Sequence, residues 1–283
     1  MDAYSILEIV RNIVYSGVLL IALVYSCLIL LISRFRHQNN MFILNLCVNT
    51  MTTCIYFIIY FYAIYYDMPQ SMCILFNYAF NIASIQIPFA FVAFTVHRFC
   101  VIVYHTKALF KTKQWVVICI LTQWIAQFVI SLPFVFEYYD DCTSNTVWMG
   151  FYTLITAVIL PSSINMILNI CIFIHVRKSS LRVHPGRLNT ITNGINHQQS
   201  RISRRDISLL KQMIFTFTMF IIGWTPALVI NTVDVMIFVN FDVQMASVYL
   251  SVICLLAVII NLFIYNHEIR RYLFDSIRRC FHC

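Results

Sequence analysis

Seven long, mostly apolar stretches follow one another along the chain, separated by short polar connections. They fall near 13–33, 42–65, 72–103, 115–136, 147–176, 207–239 and 245–265. A bilayer core ~30 Å thick needs roughly 20 helical residues to cross it, and each stretch is long enough. None alternates apolar and polar residues at period two over the ~10 residues that a barrel strand requires. Inside lipid every backbone N–H and C=O must be satisfied within the protein, which leaves the helix for runs of this kind. The pattern predicts an all-α membrane protein: a seven-transmembrane helix bundle, followed by a short amphipathic helix.

The third stretch has a long uncharged core. Ile74 to Val96 carry no Lys, Arg, Asp or Glu, and His97-Arg98-Phe99 follow at once. A charge at the bilayer centre is costly, so Arg98 is expected at an end of the span, where membrane meets water.

The connections give the orientation. Arg34, Arg36, Lys107, Lys111, Lys113, Arg270, Arg271, Arg278 and Arg279 lie on one side, with the cluster Arg177, Lys178, Arg182, Arg187, Arg201, Arg204, Arg205 and Lys211. With Arg98, that side holds 18 of the 19 Lys and Arg residues and three carboxylates; the other holds Arg11 and eight carboxylates. Positive charge stays on the cytoplasmic side. Residues 1–12 are therefore expected outside, 178–205 as the third cytoplasmic loop, and 266–283 as a cytoplasmic tail. Pro185-Gly186 breaks the long loop. In the tail, Ile269, Tyr272, Leu273, Ser276 and Ile277 share one helical face and arginines occupy the rest, as in a helix lying on the anionic inner leaflet.

Composition agrees: 61% of residues are hydrophobic and 11% charged, against ~25% charged in soluble domains. The net charge of +8 follows the sides of the membrane, so nucleic acid is not a predicted partner and the lipid bilayer is. The eleven cysteines fall mostly inside apolar runs, where a reduced buried thiol is expected. No metal or cofactor is predicted, and no catalytic constellation, so the chain is not read as an enzyme.

Several short motifs keep a fixed order. Cys73 opens the third span, and Cys142 ends the acidic run Glu137-Tyr-Tyr-Asp-Asp-Cys142. Arg98 follows Cys73 by 25 residues. Trp124 and Pro133 mark the fourth span, and Pro161 the fifth. The sixth reads Phe220-Ile-Ile-Gly223-Trp224-Thr225-Pro226, and the seventh ends Asn261-Leu-Phe-Ile-Tyr265. In order and spacing this set resembles the rhodopsin-like (class A) G-protein-coupled receptors over nearly the whole chain.

The resemblance implies roles. Cys73 and Cys142 correspond to the outer disulfide that ties a loop over the ligand pocket. Arg98 corresponds to the arginine of the D/E-R-Y motif, with His97 in place of the acid and Phe99 in place of the tyrosine. Asp206, 20 residues before Pro226, stands where the family often carries an acid that clamps this arginine. Phe220, Trp224 and Pro226 match the F-x-x-C-W-x-P switch, with Gly223 in the cysteine position. Asn261 and Tyr265 match N-P-x-x-Y, with Leu262 for the proline. Thr50 stands at the family's buried aspartate, Ser26 at its first-span asparagine and Asn169 at its fifth-span tyrosine. A neutral polar centre of Ser26, Thr50, Asn261 and Asn49 is expected, without the family's sodium site. Cys280 and Cys283 suit palmitoylation.

The aspartate of amine receptors aligns with Phe80 and the retinal lysine of opsins with Leu255, so neither a monoamine nor retinal is expected. About a dozen residues before the first span leave no room there for a large binding domain. A candidate ligand pocket comprises Asn77, Phe80, Asn81, Ser84, Trp224, Leu228, Asn231, Tyr249 and Ser251, and suits a peptide or a neutral small molecule. The partners implied are an extracellular ligand and a heterotrimeric G-protein. Two other readings stay open: a receptor-like protein that no longer signals through G-proteins, and a transporter, although the span cores lack the ionisable path that transport requires.

Overall fold

The computed structural model describes the backbone of residues 3–35, 37–64, 70–104, 106–137, 147–181, 204–234, 236–237, 239–266, 270–272, 275 and 278. Seven helical spans dominate these residues, each long and apolar enough to cross a membrane. They run Ala3–Leu31, Gln38–Ile64, Gln70–Val103, Lys113–Glu137, a compound fifth span from Val147 to Leu181, Arg204–Asp234 and Phe241–Tyr265. No strand occurs among the described residues. The first helix starts ten residues before the apolar stretch at 13–33. Hydropathy marks only the lipid-facing part, whereas backbone hydrogen bonding continues outward. The sixth ends at Asp234, short of the expected 239, and the Asp234 carboxylate accepts from the Val239 N–H across the turn (2.9 Å).

The third span sits at the centre. In its most apolar part 67% of residues are buried, against 28% in the fourth, fifth and sixth. It contacts the second, fourth, fifth and sixth spans, while the first packs on the second and seventh and the sixth on the seventh. Its uncharged run therefore faces protein on nearly every side, and the outer spans face lipid. Leu121, Ile125 and Val129 on the fourth span, and Met166, Ile167 and Ile170 on the fifth, are exposed. The same helices bury Gln123, Gln127 and Asn165. Polar side chains turn inward because only other helices offer them partners.

Prolines shape four spans. Pro88, Pro133 and Pro226 lie inside helices, where each removes a backbone donor and crowds the carbonyl four residues back. Pro161 has a different remedy. The preceding turn, Ile155–Ile159, widens to a π-helix, and the Leu160 N–H bonds the Ile155 carbonyl. The wider turn takes up one extra residue just where the proline ring would meet the Ala157 carbonyl.

Two glycines bring the sixth span unusually close to its neighbours. A Cβ on Gly223 would lie 2.5 Å from Cys254 Cβ and 3.2 Å from Ser251 Cα of the seventh span. A Cβ on Gly150, in the fifth, would lie 3.1 Å from Thr232 Cγ2. Glycine at these positions lets the helices meet nearly backbone to backbone.

At the expected cytoplasmic end the connections are pinned to one another. The Gln38 amide donates to the Lys111 carbonyl, and Asn266 Nδ2 donates to Asn40 Oδ1 (3.3 Å). After the seventh span, Arg270–Tyr272, Asp275 and Arg278 are helical. The Tyr272 ring meets Phe35 edge-on at 5.6 Å.

Candidate functional site

The sixth span supplies the middle of the site. Trp224 is buried two residues before Pro226. Its ring stacks on Phe220, one turn inward, at 5.9 Å and 18°. Spacing of i and i+4 puts the two on one helix face. Phe57 of the second span lies 5.4 Å from Trp224 and stacks on Tyr15 of the first at 5.8 Å. Inward, Phe220 meets Phe91 at 6.4 Å and Phe91 meets Phe217 at 6.1 Å. These separations lie in the ~4.5–7 Å range of interacting aromatic pairs. The result is one column, Tyr15–Phe57–Trp224–Phe220–Phe91–Phe217, linking four spans beside the proline.

The nine pocket candidates divide. Trp224, Asn81, Ser84, Leu228 and Ser251 are buried; Asn77, Phe80 and Tyr249 are half-buried. Asn231 is exposed, although its spacing from Trp224 and Leu228 keeps it on the same side of the sixth helix. Asn81 joins three spans: its Nδ2 donates to Ser131 Oγ (2.9 Å) and its Oδ1 accepts from Thr153 (3.4 Å). Ser84 and Ser251 donate to carbonyls of their own helices, Phe80 and Val248. Phe80 packs against Tyr56 at 6.4 Å.

At the inner end of the third span, Arg98 is only 6% exposed and His97 2%. The Arg98 guanidinium carbon lies 5.3 Å from the centre of the Phe94 ring. His97 packs on Phe42 of the second span, 4.8 Å between centroids. Neither imidazole nitrogen has a hydrogen-bond partner among the described residues. Phe99 meets Tyr104 edge-on at 6.1 Å. The side chain of Asp206 lies outside the described residues, as do those of Cys73 and Tyr265. Cys142, Cys280 and Cys283 lie outside them altogether.

Among the described residues, the hydrogen bonds of the expected neutral polar centre run within and between helices. Ser26 donates to the Ala22 carbonyl, Thr50 to Leu46 and Asn49 to Asn45, all within their own helices. Asn261 instead reaches across to Thr216 of the sixth span (3.0 Å). The richer polar seam runs between the second, third and fourth spans. Asn45 Nδ2 donates to Gln123 Oε1 (2.6 Å), and the Trp124 indole donates to Asn45 Oδ1 (3.1 Å). Thr52 donates to Gln86 Oε1 (2.7 Å), and Gln86 Nε2 donates to Thr53 Oγ1. Gln127 donates to the Gln86 carbonyl (3.3 Å); beyond this seam, Thr95 of the third span donates to Asn165 Oδ1 of the fifth (2.7 Å).

Sequence reading passed over Gln86, Gln123, Gln127, Asn165 and Thr216, and the aromatics Phe42, Phe57, Phe91 and Phe94. A signal existed for the amides. Asn45, Asn49 and Thr53 recur every four residues in one apolar helix, as do Gln123 and Gln127 in another, which marks a shared inward face.

A seven-helix membrane bundle, centred on its third span, with a proline inside its sixth helix beside a buried tryptophan, has the build of a multi-pass membrane receptor. Residues 21–265 match the family model described as 7 transmembrane receptor (rhodopsin family), and the chain belongs to that family. None of the curated proteins matches the sequence.

Proposed function

We propose that the protein is a cell-surface receptor that transmits binding of an extracellular ligand to a heterotrimeric G-protein. The observation that carries this reading is the aromatic column through Trp224. It joins the first, second and third spans to the sixth just before Pro226. A ligand that displaces Trp224 changes the packing of Phe220 and Phe91, and thereby the population of states in which the inner half of the sixth span has pivoted. The half-buried Asn77, Phe80 and Tyr249 offer amide, ring and phenol groups, suited to a peptide or a neutral small molecule. In this reading the N-terminus is extracellular, the tail cytoplasmic, and Cys73 and Cys142 form the outer disulfide. Arg98 pairs with Asp206 at rest, and Cys280 and Cys283 carry lipid.

Arg98 is the residue to change. Cells expressing the wild type or Arg98→Ala are screened with peptide and small-molecule pools, with G-protein nucleotide exchange as the readout. The variant is expected at the surface in normal amount, with exchange lost. Exchange equal to wild type would refute the coupling. Surface expression of both proteins with no exchange under any pool favours the receptor-like reading without G-proteins, which the burial of His97 beside Arg98, where the family has an acid, also suits.

A further inference from the structure

Arg98 is nearly enclosed, and the residue before it carries no negative charge. His97 fills space: its ring packs on Phe42, and both nitrogens lack hydrogen-bond partners among the described residues. An aromatic ring lies against the guanidinium. Phe94 lies four residues earlier on the same helix, which places the two side chains one above the other. The guanidinium carbon is 5.3 Å from the Phe94 centroid, within the ~6 Å reach of a cation–π contact. Phe94 is itself held: Phe42 stacks on it at 5.1 Å and 24°, and both belong to a cluster with Ala93, Val116 and Cys119 from the third and fourth spans.

We propose that Phe94, backed by Phe42 of the second span, is a positioning residue that holds Arg98 at rest through the face of its ring. The signalling consequence rests on the G-protein reading above; the contact itself does not. The ring face is negative and the guanidinium is weakly hydrated, so the attraction grows as water is excluded. At the strength of such contacts, losing the ring face shifts the balance between held and released arginine by a few-fold to about thirtyfold. An Asp206 partner would add to this hold from the sixth span. The aromatic hold is braced instead by Phe42 of the second span.

The test separates ring electrostatics from ring volume. Phe94 in the full-length receptor is replaced by mono-, di- and trifluorophenylalanine, which nearly keep the shape and progressively drain charge from the ring face. Thermal stability of the purified receptor and basal G-protein exchange are read for each, with Arg98 intact and in an Arg98→Gln background. Stability is expected to fall step by step with fluorine number when Arg98 is present, and to stay flat in R98Q. Basal exchange is expected to rise in the same order, up to about thirtyfold. Phe94→Leu, an apolar replacement without a ring face, should resemble the trifluoro form. A flat series with Arg98 present, or the same slope in both backgrounds, overturns the proposal. A stepwise stability loss with no exchange in any form sustains the aromatic hold and counts against G-protein coupling.

Discussion

Replacing Gly223 by alanine adds one methyl group at the tightest meeting of the sixth and seventh spans. The new Cβ would sit 2.5 Å from Cys254 Cβ and 3.2 Å from Ser251 Cα, whereas ordinary contact begins near 3.4 Å. Both obstacles are backbone or the first side-chain atom, so no rotamer change relieves them. The helices must part by about 1 Å, and packing lost along the seam belongs with overpacking, ~1–3 kcal/mol. The rigidity of the clash puts the cost near the upper end. Alanine's better helix propensity returns about 1 kcal/mol, leaving a net loss of about 2 kcal/mol. By the scaling of soluble domains of ~150–250 residues, that lowers Tm by about 4–8 °C. The assay is thermal unfolding of the detergent-purified receptor. Two controls make it specific. A methyl group on Gly17 would meet nothing within 4 Å, so Gly17→Ala should be neutral or slightly stabilising. Cys254→Gly removes the closest obstacle, so it should recover part of the loss in the Gly223→Ala background. A Gly223→Ala receptor as stable as Gly17→Ala would refute the argument. It would mean that the two spans do not meet at this distance.

Other outcomes follow from the seam and from the fifth span. Gln86→Leu removes the partner of both Thr52 and Thr53. Each threonine retains a carbonyl of its own helix, so the expected loss is only about 1 kcal/mol by the measure of hydrogen bonds in membranes. A loss above about 3 kcal/mol in denaturation would show that the seam acts as one unit rather than as separate pairs. Deleting Ala157 takes the extra residue out of the π-turn and leaves the faces on either side in phase, with Thr153 and Asn165 still inward. Deleting Ile167 from regular helix rotates everything beyond it by ~100°. Surface expression should survive the first deletion better than the second, and equal loss would count against the π-turn. Arg98→Ala and the fluorinated Phe94 series supply the functional tests.

The sequence alone determined the membrane character, the number of spans and the family. Those depend on the length and apolarity of runs and on motif spacing, which are properties of the chain order. Trp224, Pro226 and Arg98 could be singled out because proline and charge are conspicuous within apolar helices. What surrounds them could not. That Trp224, Leu228 and Asn231 share one side of the sixth helix follows from their spacing, but how far each is covered depends on the neighbouring spans. His97 read as a poor counter-ion; only packing shows it filling space under Phe42. The resemblance aligns Ser26, Thr50 and Asn261; only the fold shows that Ser26 and Thr50 bond carbonyls of their own helices while Asn261 reaches Thr216 of the sixth span. Gly223 looked like a lost cysteine in the sequence. In the fold it is the residue that lets two helices touch. Pairings of this kind depend on distances between residues far apart in the chain, and only the tertiary structure decides them.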